Sequence, residues 1–172
     1  MKALVISDSH GKIENACYII ELLSEKIDMV IHLGDYYEDA YCLSEKYKTI
    51  PFINVRGNCD YACTIPDEKL VCLEEKNIFL THGHKYNVKS SYVKLSYAAE
   101  EKKADICLCG HTHTPICIKF SNTVIMNPGS ISFPRNCDCC SYGIIDITEK
   151  ETSVSVVGIY KDNLKIIAFK KL

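Results

Sequence analysis

The feature that most constrains the fold is an alternation of short apolar runs with segments of helical periodicity along the first part of the chain. The runs are rich in β-branched residues and predict strands, whereas apolar residues at helical spacing in residues 13–26, 38–47 and 90–102 predict helices. Beyond residue 120 the pattern changes to strands alone. This order predicts a layered α/β protein with one mixed sheet or two sheets. The predicted strands are residues 3–7, 29–33, 52–55, 70–73, 78–80, 106–109, 123–126, 142–147, 153–160 and 164–169.

The length and composition indicate one globular unit. A chain of 172 residues can bury a single sizeable core, and 47% hydrophobic with 24% charged residues is ordinary for a globular protein. The sequence has no Gly/Ser/Pro linker, internal repeat or low-complexity tract, so we expect a single domain spanning residues 1–172. The formal net charge of −2 provides no general positive field for nucleic acid or an anionic membrane.

The apolar runs and the cysteines bear on the compartment. The amino-terminal apolar run is too short for a signal peptide, and no stretch approaches the ~20 apolar residues of a membrane span. The 11 cysteines are odd in number, and most lie inside apolar runs where a reduced thiol behaves as a small hydrophobic group. We therefore expect a reduced, cytoplasmic protein. Cys137, Cys139 and Cys140 lack a second cysteine pair of zinc-site spacing and are interpreted as a thiol-rich loop.

Residues of the metal-ligand type follow five of the predicted strands. Five of the six histidines lie in these segments. Because open α/β sheets place their active sites at the carboxyl ends of strands, we expect these side chains to meet. Residues two apart in extended chain point the same way, so each closely spaced pair can serve one site. In strand order the residues are Asp8 and His10; Asp35; Asn58; His82 and His84; His111 and His113.

The chemistry of this set indicates a pair of transition-metal ions. Carboxylate, imidazole and amide groups without thiolate suit Mn²⁺, Fe²⁺, Co²⁺, Ni²⁺ or Zn²⁺ better than Ca²⁺, which prefers oxygen ligands alone. Seven ligands are too many for one ion and suit two that share a carboxylate. Two such ions can generate a bridging hydroxide and neutralise a phosphoryl group, which predicts hydrolysis of a phosphate ester. The seven candidate ligands are Asp8, His10, Asp35, Asn58, His82, His111 and His113.

Taken in order, these motifs resemble the calcineurin-like metallophosphoesterases. The segments Gly57-Asn58-Cys59-Asp60, Thr81-His82-Gly83-His84 and Asn127-Pro128-Gly129-Ser130 resemble more narrowly the small bacterial and archaeal phosphodiesterases of the YfcE type. The resemblance covers essentially the whole chain and implies a four-layer αββα sandwich with two mixed β-sheets and a dinuclear site at one sheet edge. It also implies Mn²⁺ as the usual ion and a small phosphodiester as substrate. Position by position, it implies that Asp8, His10 and His113 hold one metal, that Asn58, His82 and His111 hold the other, and that Asp35 bridges them.

Other polar residues near these motifs have two readings each. Many larger relatives carry histidine after the motif asparagine, where it protonates the leaving group, but here that position is Cys59. A thiol is a poor general acid at neutral pH, so His84 becomes the candidate acid, with a solvated or supporting histidine as the alternative. Arg56, together with Asn58, is a candidate for binding the phosphate, although Arg56 could point away from the site. Asp60 could orient a ligand or cap a loop, and His32 is expected in the core.

Three further functions stay open at this point. A phosphomonoesterase would use the same ligands. A catalytically silent protein-assembly scaffold is known for a eukaryotic retromer subunit of similar fold. A nuclease is disfavoured by the small size and by the lack of an aromatic-basic stretch. The apolar segment 164–169 is a candidate edge for a homodimer or higher homo-oligomer.

Overall fold

Two mixed β-sheets form the centre of the protein. The computed structural model describes residues 1–61, 63–161 and 163–172 of the chain. The first sheet has the strand order β11-β10-β9-β1-β2-β3, and the second has the order β4-β5-β6-β8-β7. The strands are β1 (Lys2–Ile6), β2 (Met29–His32), β3 (Phe52–Asn54), β4 (Glu68–Leu73), β5 (Lys76–Thr81), β6 (Ile106–Leu108), β7 (Ile116–Phe120), β8 (Thr123–Asn127), β9 (Cys140–Ile147), β10 (Thr152–Tyr160) and β11 (Asn163–Lys171).

Each sheet has a parallel centre and antiparallel margins. In the first sheet β1, β2 and β3 are parallel, whereas β9, β10 and β11 continue it antiparallel. In the second sheet β5, β6 and β8 are parallel, and β4 and β7 flank them antiparallel. The parallel strands end on the same side of their sheets, so both sheets deliver their following loops to one edge.

The helices cover the outer faces of the sheets and complete four layers. Helices α1 (Glu14–Leu23) and α2 (Tyr37–Lys46) pack on the first sheet, and α3 (Val93–Glu101) packs on the second. Successive side chains of β1 point to opposite faces of the sheet, and their contacts show the order of the layers. Leu4 and Ile6 pack with the helices, whereas Ala3 and Val5 pack with residues of the opposite sheet. This confirms the predicted αββα sandwich, and a strand buried on both faces explains its continuous apolar run.

The elements differ from the sequence prediction in one strand and at several ends. The sequence reading had no strand between residues 109 and 123, which was wrong, because β7 pairs antiparallel with β8 across a turn at Ser121. β7 is a short edge strand whose last two residues are exposed, so its apolar pattern is weak. Helix α1 ends at Leu23 rather than at residue 26, and α3 begins at Val93 rather than at residue 90. Among the described residues, no helix has both the length and the apolar character needed to cross a membrane.

Candidate metal centre

The loops after β1, β2, β5 and β6 bring six of the seven candidate ligands together. Backbone hydrogen bonds join these loops, since Asp8 N donates to Gly34 O at 3.1 Å and Gly110 N donates to His82 O at 3.0 Å. The ligand atoms fall into two groups, each with all its atoms within 4.8 Å of one another. One group contains Asp8, His10, Asp35 and His113, and the other contains Asp35, His82 and His111.

Asp35 belongs to both groups and turns a different oxygen toward each. Its Oδ1 lies 3.4 Å from His82 Nε2, and its Oδ2 lies 3.7 Å from His10 Nε2. Cys59 N also donates to Oδ1 at 2.9 Å, which fixes the carboxylate plane. The side chain is almost fully buried. A carboxylate held in this way can serve two ions at once.

The first group packs two imidazole nitrogens and a carboxylate oxygen against each other. His113 Nε2 lies 3.1 Å from Asp8 Oδ1 and 3.2 Å from His10 Nε2. Asp8 Oδ2 accepts hydrogen bonds from Ser7 Oγ at 2.6 Å and from His111 N at 3.1 Å. These donors leave Asp8 Oδ1 as the oxygen that faces the group.

The outer nitrogens of two histidines are occupied by backbone carbonyls. His82 Nδ1 lies 2.8 Å from Leu33 O, and His113 Nδ1 lies 2.6 Å from Phe133 O. A carbonyl only accepts, so each Nδ1 carries its hydrogen and each Nε2 faces the centre. Metal-binding histidines in proteins are oriented in this way by a carbonyl or carboxylate behind them.

Buried polar atoms without hydrogen-bond partners among the described residues show that the site fits a divalent cation. Asp8 Oδ1 and His82 Nε2 are buried and have no hydrogen-bond partner among the described residues. Leaving such atoms unpaired costs free energy, and a cation would satisfy both. The donor set of carboxylate oxygen and imidazole nitrogen is one that transition-metal ions accept.

Five of the candidate ligands have an unusual backbone conformation. Their φ angles lie between 48° and 69°, in the left-handed region that residues other than glycine adopt infrequently. Such conformations cost free energy and persist where the surrounding structure enforces them. Here they turn the loop backbone sharply after each strand, so that the side chains reach the centre. The five residues are Asp8, His10, Asp35, His111 and His113.

The electrostatics favour charged carboxylates beside protonated imidazoles. Burial would raise the pKa of Asp8, but contact with His113 and the charge of His82 outweigh it and hold the pKa below its ordinary value. Burial would likewise raise the pKa of Asp35, but the hydrogen bond and charge of His82 outweigh it and lower the pKa of this carboxyl group. Burial would lower the pKa of His82, yet Asp35 and Asp8 raise it. The pKa of His113 is also raised, because Asp8 outweighs its burial.

The pKa of His111 shifts the other way. Burial lowers it to about 4, with a further contribution from the charge of His82. His111 therefore keeps a neutral imidazole at neutral pH, the form in which histidine binds metals.

Asp60 is the main support of the Asp35 loop. Its Oδ2 accepts from Asp35 N at 3.0 Å and from Gly57 N at 2.7 Å, and its Oδ1 accepts from Tyr36 N at 2.6 Å and Tyr37 N at 2.8 Å. The carboxylate thus orients the Asp35 loop and also caps the amino terminus of α2, where negative charge is favourable. Both roles considered for Asp60 are present together.

His32 is fully buried, as predicted, and ties two ligand loops together. Gly34 N donates to its Nδ1 at 3.2 Å, so its Nε2 carries the hydrogen and donates to Ser9 Oγ at 3.0 Å. Burial lowers the pKa of His32 and keeps the ring neutral. It positions the loops after β1 and β2 from the core side.

Two glycines are required by close approaches at the centre. A side chain at Gly57 would collide with the Asp35 carboxylate, and one at Gly110 would collide with Ser7 and Asp8. The turn at residues 57–60 therefore passes directly over the Asp35 carboxylate. Only glycine permits this distance.

The remaining predicted residues lie near the centre with other contacts. Asn58 is exposed, and its amide nitrogen lies 3.3 Å from Cys59 Sγ. Arg56 pairs with Asp67, with Nη2 to Oδ1 at 2.8 Å, instead of facing the centre. His84 packs its ring 5.5 Å from that of His82, and its buried Nδ1 has no partner among the described residues. The phosphate-binding role of Arg56 would require that ion pair to open.

The segment after β8 supports the centre through side chains that the sequence reading missed. Ser130 Oγ and Ser132 Oγ both donate to Asp8 O, at 2.7 and 3.0 Å. Asn127 Nδ2 donates to Gly110 O at 2.6 Å. Serines after a Pro-Gly turn carry no signal in a single sequence, because their partner lies more than 120 residues away.

The thiol-rich segment forms no comparable group. Cys137 Sγ lies 3.3 Å from Cys139 Sγ, and the cysteines are free. Across residues 1–61, 63–161 and 163–172, groups of three or more metal-ligand side chains occur at the candidate centre alone.

Two mixed sheets between helices, with acidic and imidazole side chains gathered where parallel strands end, define a metal-dependent phosphoesterase architecture. The calcineurin-like phosphoesterase superfamily domain matches residues 1–150, and the chain belongs to this family. This confirms the resemblance drawn from the motifs. Family membership, together with the grouped ligands, supports a phosphoester hydrolase that binds divalent metal.

Individual relatives agree with this assignment. The chain is 34% identical over 155 residues to the probable metallophosphoesterase YsnB of Bacillus subtilis (strain 168), covering 90% of this chain and 89% of YsnB. It is 28% identical over 169 residues to the phosphodiesterase YfcE of Escherichia coli (strain K12), covering 85% and 88%. The solved structure of YfcE, a phosphoesterase, superposes with a TM-score of 0.73 at 26% identity over 99% of this chain and 98% of that one.

A third likeness concerns the fold alone. Vacuolar protein sorting 29 of Cryptosporidium parvum superposes with a TM-score of 0.83 over 99% of this chain and 97% of that one. At 20% identity this similarity shows a shared architecture and says nothing about chemistry.

Proposed function

We propose that the protein is a phosphodiesterase that uses two divalent metal ions, with Mn²⁺ preferred and Fe²⁺, Zn²⁺, Ni²⁺ or Co²⁺ as alternatives. The observation that carries the proposal is the position of the Asp35 carboxylate, whose two oxygens face two different groups of candidate ligands. Asp8, His10 and His113 would hold one ion, and His82, His111 and Asn58 the other. Divalent ions bound there would make a shared water acidic and neutralise charge on the phosphoryl oxygens.

The chain's own residues contribute orientation and exclusion of water. His82 and His113 are held by carbonyls so that each Nε2 faces inward without rearrangement. Asp8 and Asp35 are buried, which strengthens their attraction for a cation because water does not screen them. Asn58 would complete the second group by turning its amide oxygen inward, a rotation that its exposed position permits.

The leaving group needs a proton, and Cys59 is a poor source. Burial and the neighbouring Asp35 raise the pKa of the Cys59 thiol to about 11, far from the value suited to proton transfer at neutral pH. We propose His84 as the acid. Its pKa is lowered by burial and by His82, which makes its protonated form a better proton donor than an ordinary imidazolium. Replacement His84→Ala should slow a diester with an alkyl leaving group and spare bis-p-nitrophenyl phosphate; equal effects on both would remove His84 from this role.

The preference for diesters over monoesters is supported by YfcE, the relative named as a phosphodiesterase. Arg56 is engaged by Asp67, so the charge that would favour a dianionic monoester is partly neutralised. The test is hydrolysis of bis-p-nitrophenyl phosphate and p-nitrophenyl phosphate by metal-stripped protein reloaded with Mn²⁺. We expect the diester to be preferred; preference for the monoester would make the protein a phosphomonoesterase of the same chemistry.

The metal count tests the dinuclear site directly. Elemental analysis should give two ions per chain, and Asp35→Asn should lose at least about 100-fold in diesterase activity because both groups share Asp35. Asp105→Asn is the matched control, since this carboxylate accepts Asn77 N at the start of β6, the end opposite the ligand loop. One ion per chain with full activity would contradict the proposal.

A catalytically silent scaffold is the alternative, favoured by the shared fold with vacuolar protein sorting 29. Against it stands the cost of keeping Asp8 Oδ1 and His82 Nε2 buried without a hydrogen-bond partner among the described residues. Binding of Mn²⁺ with no turnover of either ester would favour the scaffold.

A further inference from the structure

A cavity of about 600 Å³ opens beside the first ligand group and is not used by the chemistry described above. It lies on the His10 and His113 side of the centre, away from His82. Its remaining walls combine aromatic and polar side chains. The lining residues used here are His10, Tyr36, His113, Ser132, Phe133 and Arg135.

Tyr36 holds its ring at this cavity by a strained backbone. Its φ is 77°, a conformation that is a genuine outlier for a bulky residue, and Asp60 stabilises it by accepting Tyr36 N at 2.6 Å. The ring lies edge-on to His10 at 5.4 Å and remains 41% exposed. Burial of the ring therefore does not offset the free energy cost of the strained backbone. Backbone strain kept at a functional site is characteristic of positioning for a ligand.

Phe133 presents a second ring across His10. It also stands edge-on to the imidazole, at 5.9 Å, and is 39% exposed. Its position is fixed because Phe133 N donates to Ser130 Oγ at 2.7 Å and Phe133 O accepts from His113. Lys12 Nζ lies 4.4 Å from the ring centroid and adds positive charge at this rim.

Arg135 supplies the cavity with a hydrogen-bonding cation. Its backbone N–H donates to His113 O at 3.0 Å, which anchors the residue directly beside a candidate metal ligand. Its side chain is exposed and forms no salt bridge with any residue in the described part of the chain. A guanidinium has a planar array of donors that suits carbonyl and phosphate oxygens.

We propose that this cavity binds the nucleobase of a nucleoside phosphodiester. Tyr36 and Phe133 would stack on the base, and Arg135 would donate to carbonyl oxygens of the base or to oxygens of the phosphate ester. The inference rests on the proposed phosphodiesterase function and narrows its substrate class. Nucleobases stack on aromatic side chains regardless of their identity, so two exposed rings favour a base over an alkyl or sugar group.

The test compares two esters with the same leaving group, thymidine 5′-p-nitrophenyl phosphate and methyl p-nitrophenyl phosphate. The wild-type protein with Mn²⁺ should prefer the thymidine ester in kcat/KM. In Tyr36→Ala the ratio of the two kcat/KM values should fall about tenfold, as expected for loss of one stacking contact. Phe133→Ala should lower the ratio similarly. Tyr36→Phe keeps the ring and should keep the ratio.

Two controls separate recognition from folding. Tyr36→Gly removes the ring but suits the left-handed backbone, so its Tm should not fall although the ratio does. Tyr41→Ala removes an exposed tyrosine of α2 that lines a different cavity, and it should leave the ratio at the wild-type value. Binding of thymidine 5′-monophosphate, followed by chemical-shift changes in metal-free protein, should weaken in Tyr36→Ala and persist in Tyr41→Ala.

An unchanged ratio in Tyr36→Ala, or an equal loss on both esters, would overturn the nucleobase assignment while leaving the phosphodiesterase in place. Failure of the proposed function looks different, because neither ester would then be hydrolysed by any variant.

Discussion

Replacement of Asp60 by asparagine gives the sharpest test of how the fold supports the centre. The carboxylate accepts four backbone N–H groups, two on each oxygen. Asparagine keeps one oxygen and presents an amide NH₂ in place of the other. Two of the four backbone donors would then face another donor instead of an acceptor, in a site where Asp60 is only 5% exposed.

The magnitude follows from the number of donors that lose their acceptor. A buried donor without a partner costs about 1–3 kcal/mol, so two should cost about 2–6 kcal/mol of unfolding free energy. Loss of the negative charge at the amino terminus of α2 adds to this cost. Because one of the donors is Asp35 N, the Asp35 carboxylate should also be held less rigidly, with an expected loss of about 10–100-fold in Mn²⁺ affinity.

Urea unfolding and Mn²⁺ titration of Asp60→Asn would measure both effects. Asp105→Asn is again the control, because Asp105 accepts a single N–H from Asn77 at 2.9 Å and the asparagine oxygen can replace that contact. We expect the control to stay within about 1 kcal/mol of the wild type. The reasoning fails if Asp60→Asn is equally mild and binds Mn²⁺ as tightly as the wild type.

Three further outcomes are expected. Binding of Mn²⁺ to metal-free protein should release protons from His82 and His113, because their pKa values lie above the ordinary 6.5. Calorimetry in buffers of different ionisation enthalpy measures this release. Absence of release would mean that both rings were already neutral. The ion pairs of these histidines stabilise the metal-free fold fully below pH 6.5, and this stability is lost as the pH rises through the raised pKa values, visible as a falling Tm. Gly34→Ala should lower the free energy of unfolding by about 3 kcal/mol or more, because its Cβ would lie 2.5 Å from Gly57 N. Gly11→Ala is the control, since Gly11 also has a positive φ but its Cβ would meet nothing nearer than 3.8 Å. Equal losses in the two variants would show that the clash is unimportant.

Most of the sheet strands could be predicted because a buried strand consists of a run of apolar residues that is visible in the local sequence. Strands covered on both faces, such as β1 and β2, consist largely of apolar residues, and a candidate ligand follows the end of each within three residues. Strand β7 was not predicted because it is short and its last two residues are exposed, so its apolar pattern is weak. The edge strands β3, β4 and β11 were predicted from their longer apolar runs, so an edge position alone does not hide a strand.

The candidate ligands could also be named from the sequence, because residue type and spacing select for metal chemistry without reference to the rest of the chain. The support around them could not. Asp60, Ser130 and Ser132 act through hydrogen bonds to groups that are distant in sequence, and such partners leave no periodic trace.

The sequence by itself determined the kind of protein, since apolar periodicity specifies layers and the motif residues specify the chemistry. The tertiary structure alone decided which candidate ligands lie together, that Arg56 is engaged by Asp67, and that Tyr36 has a strained backbone beside an open cavity. The physical reason is that composition and spacing act locally along the chain, whereas distances between atoms from different strands exist only after both sheets have packed.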